Sequence, residues 1–181
     1  MHGHRSILAA AGIGLSLALA VIAPAGAAQT RDLSFERGTR TVMLRMFAAE
    51  GRSTAGFNFD GHGNGHMIVT VPLGWRVDIL FVNLSTLRHS LMVTQGDQNL
   101  NGPFRPAFPH AFTPDPDRGL ARGGLARISF VASRAGRYLL VCAVPGDADL
   151  GMWDRLVVSA RARVPGIRIV HPRPRPHRRR P

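Results

Sequence analysis

The segment from Cys142 to Met152, which reads CAVPGDADLGM, holds the residues best suited to metal chemistry. Cys142 is the only cysteine of the chain, so it has no partner for an intramolecular disulfide. A single thiol can be an inert buried hydrophobe, a reactive or intermolecular thiol, or a metal ligand. The Pro145-Gly146 turn predicts that the chain folds back, so that the thiolate of Cys142 and the thioether of Met152 lie close together. Soft sulfur ligands of this kind favour copper.

A third donor is His89, an imidazole between two apolar segments. Alone it would be interpreted as a turn or core histidine, but beside two sulfur donors it completes a ligand set suited to copper. His62 and His66 flank a Gly-rich turn and could bind a second, labile copper. We favour the interpretation that Gly and Asn form this turn and that both histidines are solvated.

The elements that must position these ligands are predicted to be strands. Short runs rich in Val, Ile, Leu and Phe are separated by Gly, Pro and Asn at intervals typical of a β-sandwich or barrel. No segment of helical length shows a period of 3.6 residues. The predicted strands are Arg40–Phe47, His66–Val71, Arg76–Asn83, His89–Thr94, Leu125–Ala132, Gly136–Cys142 and Trp153–Ser159.

One long connection, residues 95–124, contains five Pro and five Gly. Loops of this length in compact domains are usually functional or mobile. Its phenylalanines Phe104, Phe108 and Phe112 are expected to pin the loop to the sandwich wall.

Both ends of the chain differ from the middle. Residues 1–28 have a short basic start, an apolar run and small residues at the end, the layout of a secretory signal peptide. We therefore expect an exported protein, periplasmic or extracellular, with a single domain at 29–160.

Residues 161–181 carry eight Arg, five Pro and no acid, which predicts a disordered basic tail. Without this tail and the signal segment, 14 Arg face 11 acids, so the domain itself is only weakly basic. The tail would be attracted to an anionic membrane surface or an acidic partner, or would simply be solvated. The predicted location outside the cytoplasm argues against nucleic acid as the partner of the tail.

Several segments resemble, in order, the sulfocyanin family of blue copper proteins in the cupredoxin superfamily. They are 57–61 (FNFDG), 71–77 (VPLGWRV), 87–91 (LRHSL), 136–142 (GRYLLVC) and 145–153 (PGDADLGMW). The resemblance covers roughly residues 40–160. It implies a Greek-key β-sandwich, one copper ion bound by His89, Cys142 and Met152, and one-electron transfer to a redox protein partner.

One ligand of the family pattern is replaced. The family has a histidine five residues after the cysteine, where this chain has Asp147. A carboxylate is a harder anion than imidazole, so it should favour Cu(II) and lower the reduction potential. Three interpretations of Asp147 stay open. It ligates copper directly, or another histidine substitutes for it, with His110 the first candidate and His62 and His66 after it, or the site is a relic in a domain that now only binds a partner.

Three functions follow. The chain is a one-electron carrier with an altered type 1 site, or a copper-binding or delivery protein, or a metal-free structural domain. Sequence motifs of hydrolases and nucleotide-binding proteins are missing, and one mononuclear site lacks the extra coppers of related oxidases, so an enzyme is not expected.

Overall fold

The computed structural model describes residues 32–51, 53–97 and 99–170. Within these residues the chain forms nine strands and one short 3-10 helix, Ser53–Gly56. The strands are β1 (Leu33–Glu36), β2 (Thr41–Ala48), β3 (Met67–Pro72), β4 (Arg76–Asn83), β5 (Met92–Gln95), β6 (Leu125–Val131), β7 (Gly136–Val141), β8 (Trp153–Ser159) and β9 (Gly166–Ile169).

The strands form two sheets that pack face to face. The four-stranded sheet has the order β1-β2-β4-β6 and the five-stranded sheet has the order β5-β7-β8-β3-β9. Two pairs, β2 with β4 and β3 with β8, are parallel, and the others are antiparallel. Neighbours in space are therefore often distant in sequence. The predicted all-β sandwich is confirmed.

The core lies between the sheets because side chains alternate along each strand. In β4 the inward positions are Val77, Ile79 and Phe81, which alternate with the less buried Arg76, Asp78 and Leu80. Phe59 packs edge-on against Phe81 with ring centroids 6.3 Å apart, which closes the core near the end of β4.

The predicted tail and domain boundary at residue 160 need correction, because Gly166–Ile169 forms β9 and pairs with β3. Ile167 and Ile169 pack against the core while Arg168 is exposed, so this short strand has the alternation of a half-buried edge strand. The surrounding Arg and Pro hid that pattern in the sequence. Strand β1 was likewise not predicted. The predicted signal segment, and the tail from residue 171 onward, lie outside the described residues.

Across the described part of the chain, no helix combines the length and the apolar character that a membrane crossing requires.

The long connection is pinned as predicted by two of its three phenylalanines. Phe108 is buried and lies 5.2 Å from Phe130, ring centroid to ring centroid. Phe104 packs against a second apolar cluster on the outer side of the five-stranded sheet. Phe112 is instead exposed.

A carboxyl group sits largely buried in the turn after the 3-10 helix. Asp60 Oδ1 accepts a hydrogen bond from the Phe47 amide at 2.7 Å. Burial raises the pKa of Asp60 to about 7, against the lowering effect of that hydrogen bond. The negative charges of Asp32 and Glu50 raise the pKa further.

Asp60 should make the fold more stable in acid. Its folded-state pKa lies above the unfolded value, so its contribution is complete below about pH 4 and is lost as the pH rises to about 7. Asp60→Asn keeps the acceptor for the Phe47 amide and suits the left-handed backbone, φ 52°, at this position. We expect wild type and variant to be similarly stable at pH 4 and the variant to be more stable by about 2 kcal/mol at pH 8.

Denaturant midpoints at pH 4, 6 and 8 measure this difference. Asp97→Asn, at an exposed turn position, is the matched control and should follow the wild-type profile. Parallel profiles for wild type and Asp60→Asn would show that Asp60 is ionised in the folded protein.

Candidate metal centre

Cys142 and Met152, which carry the predicted sulfur ligands, have adjacent backbones at one end of the sandwich. Cys142 directly follows β7 and Met152 directly precedes β8, and these strands pair antiparallel with Val141 opposite Trp153. The Cys142 amide donates to the Met152 carbonyl at 3.0 Å. Both side chains are fully buried. The predicted return of the Cys-to-Met loop is therefore correct.

The loop between these two residues also fixes Asp147. Its amide donates to the Val144 carbonyl at 3.2 Å, and its carbonyl accepts from the Met152 amide at 3.0 Å. Gly151 has φ 103°, a backbone conformation that residues with a side chain rarely adopt, and its carbonyl accepts from the Asn64 backbone amide at 2.8 Å. The loop thus has little freedom to move the Asp147 carboxyl away from the sulfur ligands.

His89 is positioned by the end of β4 and by the long connection. Asn83, the last residue of β4, donates from Nδ2 to the carbonyls of Leu87 and Leu120, each at 2.8 Å. The backbones of His89 and Leu120 exchange hydrogen bonds of 3.2 and 2.8 Å. Gly119 permits this approach, since a Cβ there would lie 2.9 Å from the His89 backbone.

Sequence reasoning missed Asn83, Gly119 and Leu120 as supports of the site. Asn83 ends a predicted strand and Gly119 lies in a loop with several glycines, so neither position stands out. Their role depends on a contact between segments more than thirty residues apart.

Three candidate ligand side chains converge at this end of the sandwich. Asp147 Oδ2 lies 2.8 Å from His89 Nδ1 and 3.0 Å from Cys142 Sγ. Cys142 Sγ lies 3.8 Å from His89 Nδ1. In the described ranges, this is the group of three or more His, Cys, Asp or Glu side chains close enough to share a metal ion.

Ser90 supports the thiol from the other side and was also missed in the sequence. Its amide donates to Cys142 Sγ at 3.2 Å, and its hydroxyl lies 3.7 Å from the same sulfur. That hydroxyl accepts from the Ala143 amide at 2.9 Å. Ser90, which follows His89, is therefore hydrogen-bonded both to the Cys142 sulfur and to Ala143, which follows Cys142.

The electrostatic setting favours a cation. Burial raises the pKa of Cys142 well above its usual range, and the charge and hydrogen bond of Asp147 raise it further. Amide hydrogen bonds from Ser90 and Val144 oppose this shift. A bound divalent cation would reverse the balance, because it pairs with the thiolate and the carboxylate together and displaces the thiol proton.

The geometry fits a copper ion. Nitrogen and sulfur atoms bound to one ion at about 2.0 and 2.3 Å lie roughly 3.5 to 4 Å apart. The 3.8 Å between His89 Nδ1 and Cys142 Sγ matches that spacing. The shorter distances from Asp147 Oδ2 are hydrogen-bond contacts that would lengthen by less than about 1 Å in a shared coordination shell.

The other histidines considered in the sequence lie elsewhere. His110 is exposed and lines a surface cleft with Arg76 and Ser129, beside the first residue of β4, whereas His89 lies beyond the last residue of that strand. His62 and His66 are partly exposed and belong to no group able to hold a metal ion within the described residues.

A two-sheet sandwich with a buried His and Cys at one end, and a Met next to the strand that follows the Cys, is typical of the cupredoxins, the blue copper proteins. The sulfocyanin (SoxE) domain model matches residues 28–104 and 116–169. The chain belongs to the sulfocyanin family.

Individual comparisons agree with this assignment. Sulfocyanin of Sulfolobus acidocaldarius is 28% identical over 144 residues, which cover 72% of this chain and 70% of the relative. Two crystal structures of rusticyanin variants match the fold with TM-scores of 0.53 and 0.52 at 23% identity. Each match covers 66% of this chain, and 78% and 77% of the respective rusticyanin.

Family membership and the ligand cluster together make one copper ion the cofactor. At the level of the family, the function of the chain is copper-dependent electron transfer.

Proposed function

We propose that the protein is an exported one-electron carrier with an altered copper site made by His89, Cys142, Asp147 and Met152. Asp147 takes the position at which the family pattern has a histidine. The observation that carries this proposal is the contact of Asp147 Oδ2 with both His89 Nδ1 and Cys142 Sγ, at 2.8 and 3.0 Å.

The bound copper would supply the exchange of one electron between Cu(I) and Cu(II). The residues of the chain exclude water and hold the ligands in place. His89, Cys142 and Met152 are fully buried, whereas the Asp147 side chain is 11% exposed. The site therefore comes nearest to solvent at Asp147, and we place electron entry and exit at this end of the sandwich.

The carboxylate should set the potential. A hard, anionic oxygen stabilises Cu(II) more than a neutral imidazole does, so the potential should be lower than that of a site with two histidines. The same property favours a second candidate function, in which the protein holds or delivers copper without fast electron exchange.

Export and the basic tail complete the proposal. We propose cleavage of the signal segment 1–28, a folded domain that extends to Val170, and a tail from residue 171 that contacts an anionic membrane surface or an acidic partner. This architecture suits an electron carrier and not an enzyme.

Voltammetry of the copper-loaded protein separates the two candidate functions. An electron carrier should give a reversible wave of one electron per copper, because buried and hydrogen-bonded ligands need little rearrangement between Cu(I) and Cu(II). Electron self-exchange, followed by NMR line broadening in mixtures of the two states, should be fast. Tight copper binding with an irreversible wave would contradict the carrier function and support copper holding or delivery.

A further inference from the structure

The outer face of the five-stranded sheet carries three arginines beside a tryptophan. Arg155 of β8 and Arg168 of β9 both pair with Ile68 of β3, from opposite sides. Neighbouring strands are about 4.8 Å apart, so the two arginines stand about 10 Å apart. Arg137 of β7 lies in the adjacent row, opposite Val157. All three are exposed, and together with Trp153 they form what we call the cationic face.

The three arginines outnumber the acids near this face, where buried Asp154 interacts electrostatically with Arg155. Among the described residues, the outward positions of β3, β5, β7, β8 and β9 include no Asp or Glu, and Asp154 of β8 is fully buried. The four-stranded sheet shows the opposite arrangement. There Arg76 pairs with Asp78 at 2.9 Å, and Arg45 Nη2 lies 3.9 Å from Asp32.

The cationic face is also concave. A groove of about 630 Å³ runs between the three arginines and is floored by Ile68, Leu139 and Val157. Trp153 and Arg155 both lie against the backbone of Gly65, where a Cβ would come within 2.8 Å of each side chain. Gly65 thus lets the indole and the guanidinium pack side by side at one wall of the groove.

The residues of the cationic face suit the carboxylates of an acidic protein better than the surface of a membrane. A membrane-binding face usually presents protruding apolar side chains. In the described part of the chain, none of the exposed large hydrophobics lies on a strand of this sheet, whereas Met43, Leu125 and Val131 lie on strands of the other sheet. Guanidinium groups bind carboxylates in a bidentate manner, and Trp and Arg are enriched among residues that dominate the energy of protein interfaces.

We propose that the cationic face docks an acidic protein. Trp153 directly follows the copper ligand Met152, and the Trp153 carbonyl accepts from the Gly65 amide at 2.9 Å. A protein bound at Trp153 therefore lies next to Met152 and to the loop that carries Asp147. That this protein exchanges electrons with the copper rests on the proposed function, whereas its binding does not.

The test uses the full-length protein and an oligoglutamate peptide as the probe, with and without copper. Two triple variants carry the same change of charge: Arg137→Glu, Arg155→Glu and Arg168→Glu on the cationic face, or the control Arg37→Glu, Arg122→Glu and Arg127→Glu on exposed positions elsewhere. The basic tail is present in every protein. We expect the peptide to perturb the NMR signals of Trp153 and the three arginines. Affinity should fall at least tenfold in the first variant and less than threefold in the control.

Equal losses in both triple variants would overturn the proposal, because net charge alone would then explain binding. Selective loss of binding to phosphatidylglycerol vesicles, without an effect on the peptide, would also overturn it and make the face a lipid site. If the triple Glu variant fails to fold, the Arg→Gln versions at the same positions replace it. Peptide binding without copper separates this proposal from the electron carrier function, which voltammetry tests.

Discussion

Cys142→Ser is expected to abolish the intense visible absorption of the copper-loaded protein. That absorption is a charge-transfer band from a thiolate to Cu(II), and Cys142 is the only cysteine of the chain. Serine keeps the size of the side chain and the hydrogen bond from the Ser90 amide, so the fold should be retained. Copper affinity should fall by more than about 100-fold, because loss of outer hydrogen-bond partners of metal sites already costs about 10- to 100-fold.

Absorption spectra and calorimetric copper titration measure both effects. Met43→Leu is the matched control, since it removes a sulfur from an exposed position of the other sheet and should leave the colour unchanged. A Cys142→Ser protein that still bound one copper with the same band would exclude Cys142 as the ligand.

Asp147→His is expected to raise the reduction potential by on the order of 100 mV. Imidazole would replace the carboxylate beside His89 and Cys142, and the softer, neutral donor stabilises Cu(I) relative to Cu(II). Each tenfold change in relative affinity corresponds to about 59 mV for one electron. The blue band should strengthen and the copper hyperfine splitting should narrow, because more charge is shared with the sulfur.

Asp149→His is the control, because it places a histidine in the same loop at an exposed position. Its potential should stay close to that of the wild type. Asp147→Ala should weaken Cu(II) binding more than Cu(I) binding, since His89, Cys142 and Met152 still suit the reduced ion. Unchanged potential and spectrum in both Asp147 variants would show that Asp147 is not a ligand.

The sequence determined the class of fold and the candidate ligands, because both follow from local patterns. The predicted strand segments Arg76–Asn83 and Trp153–Ser159 are β4 and β8 in the structure. The Cys-to-Met loop contains the turn residues Pro145 and Gly146, which predicted that its two ends lie close together. The ligand role of Asp147 stays a prediction, although the structure places its carboxyl between His89 and Cys142.

The tertiary structure alone decided what depends on contacts between distant segments. Strand β9 forms because Ile167 and Ile169 pack against the core and the strand pairs with β3, although the surrounding sequence is rich in Arg and Pro. Ser90 meets Cys142 from 52 residues away, and Asn83 meets Leu120 from 37. The cationic face combines arginines from three strands that only the strand order brings side by side. Such pairings cannot be predicted from local sequence, because they form only when the two sheets pack around a common core.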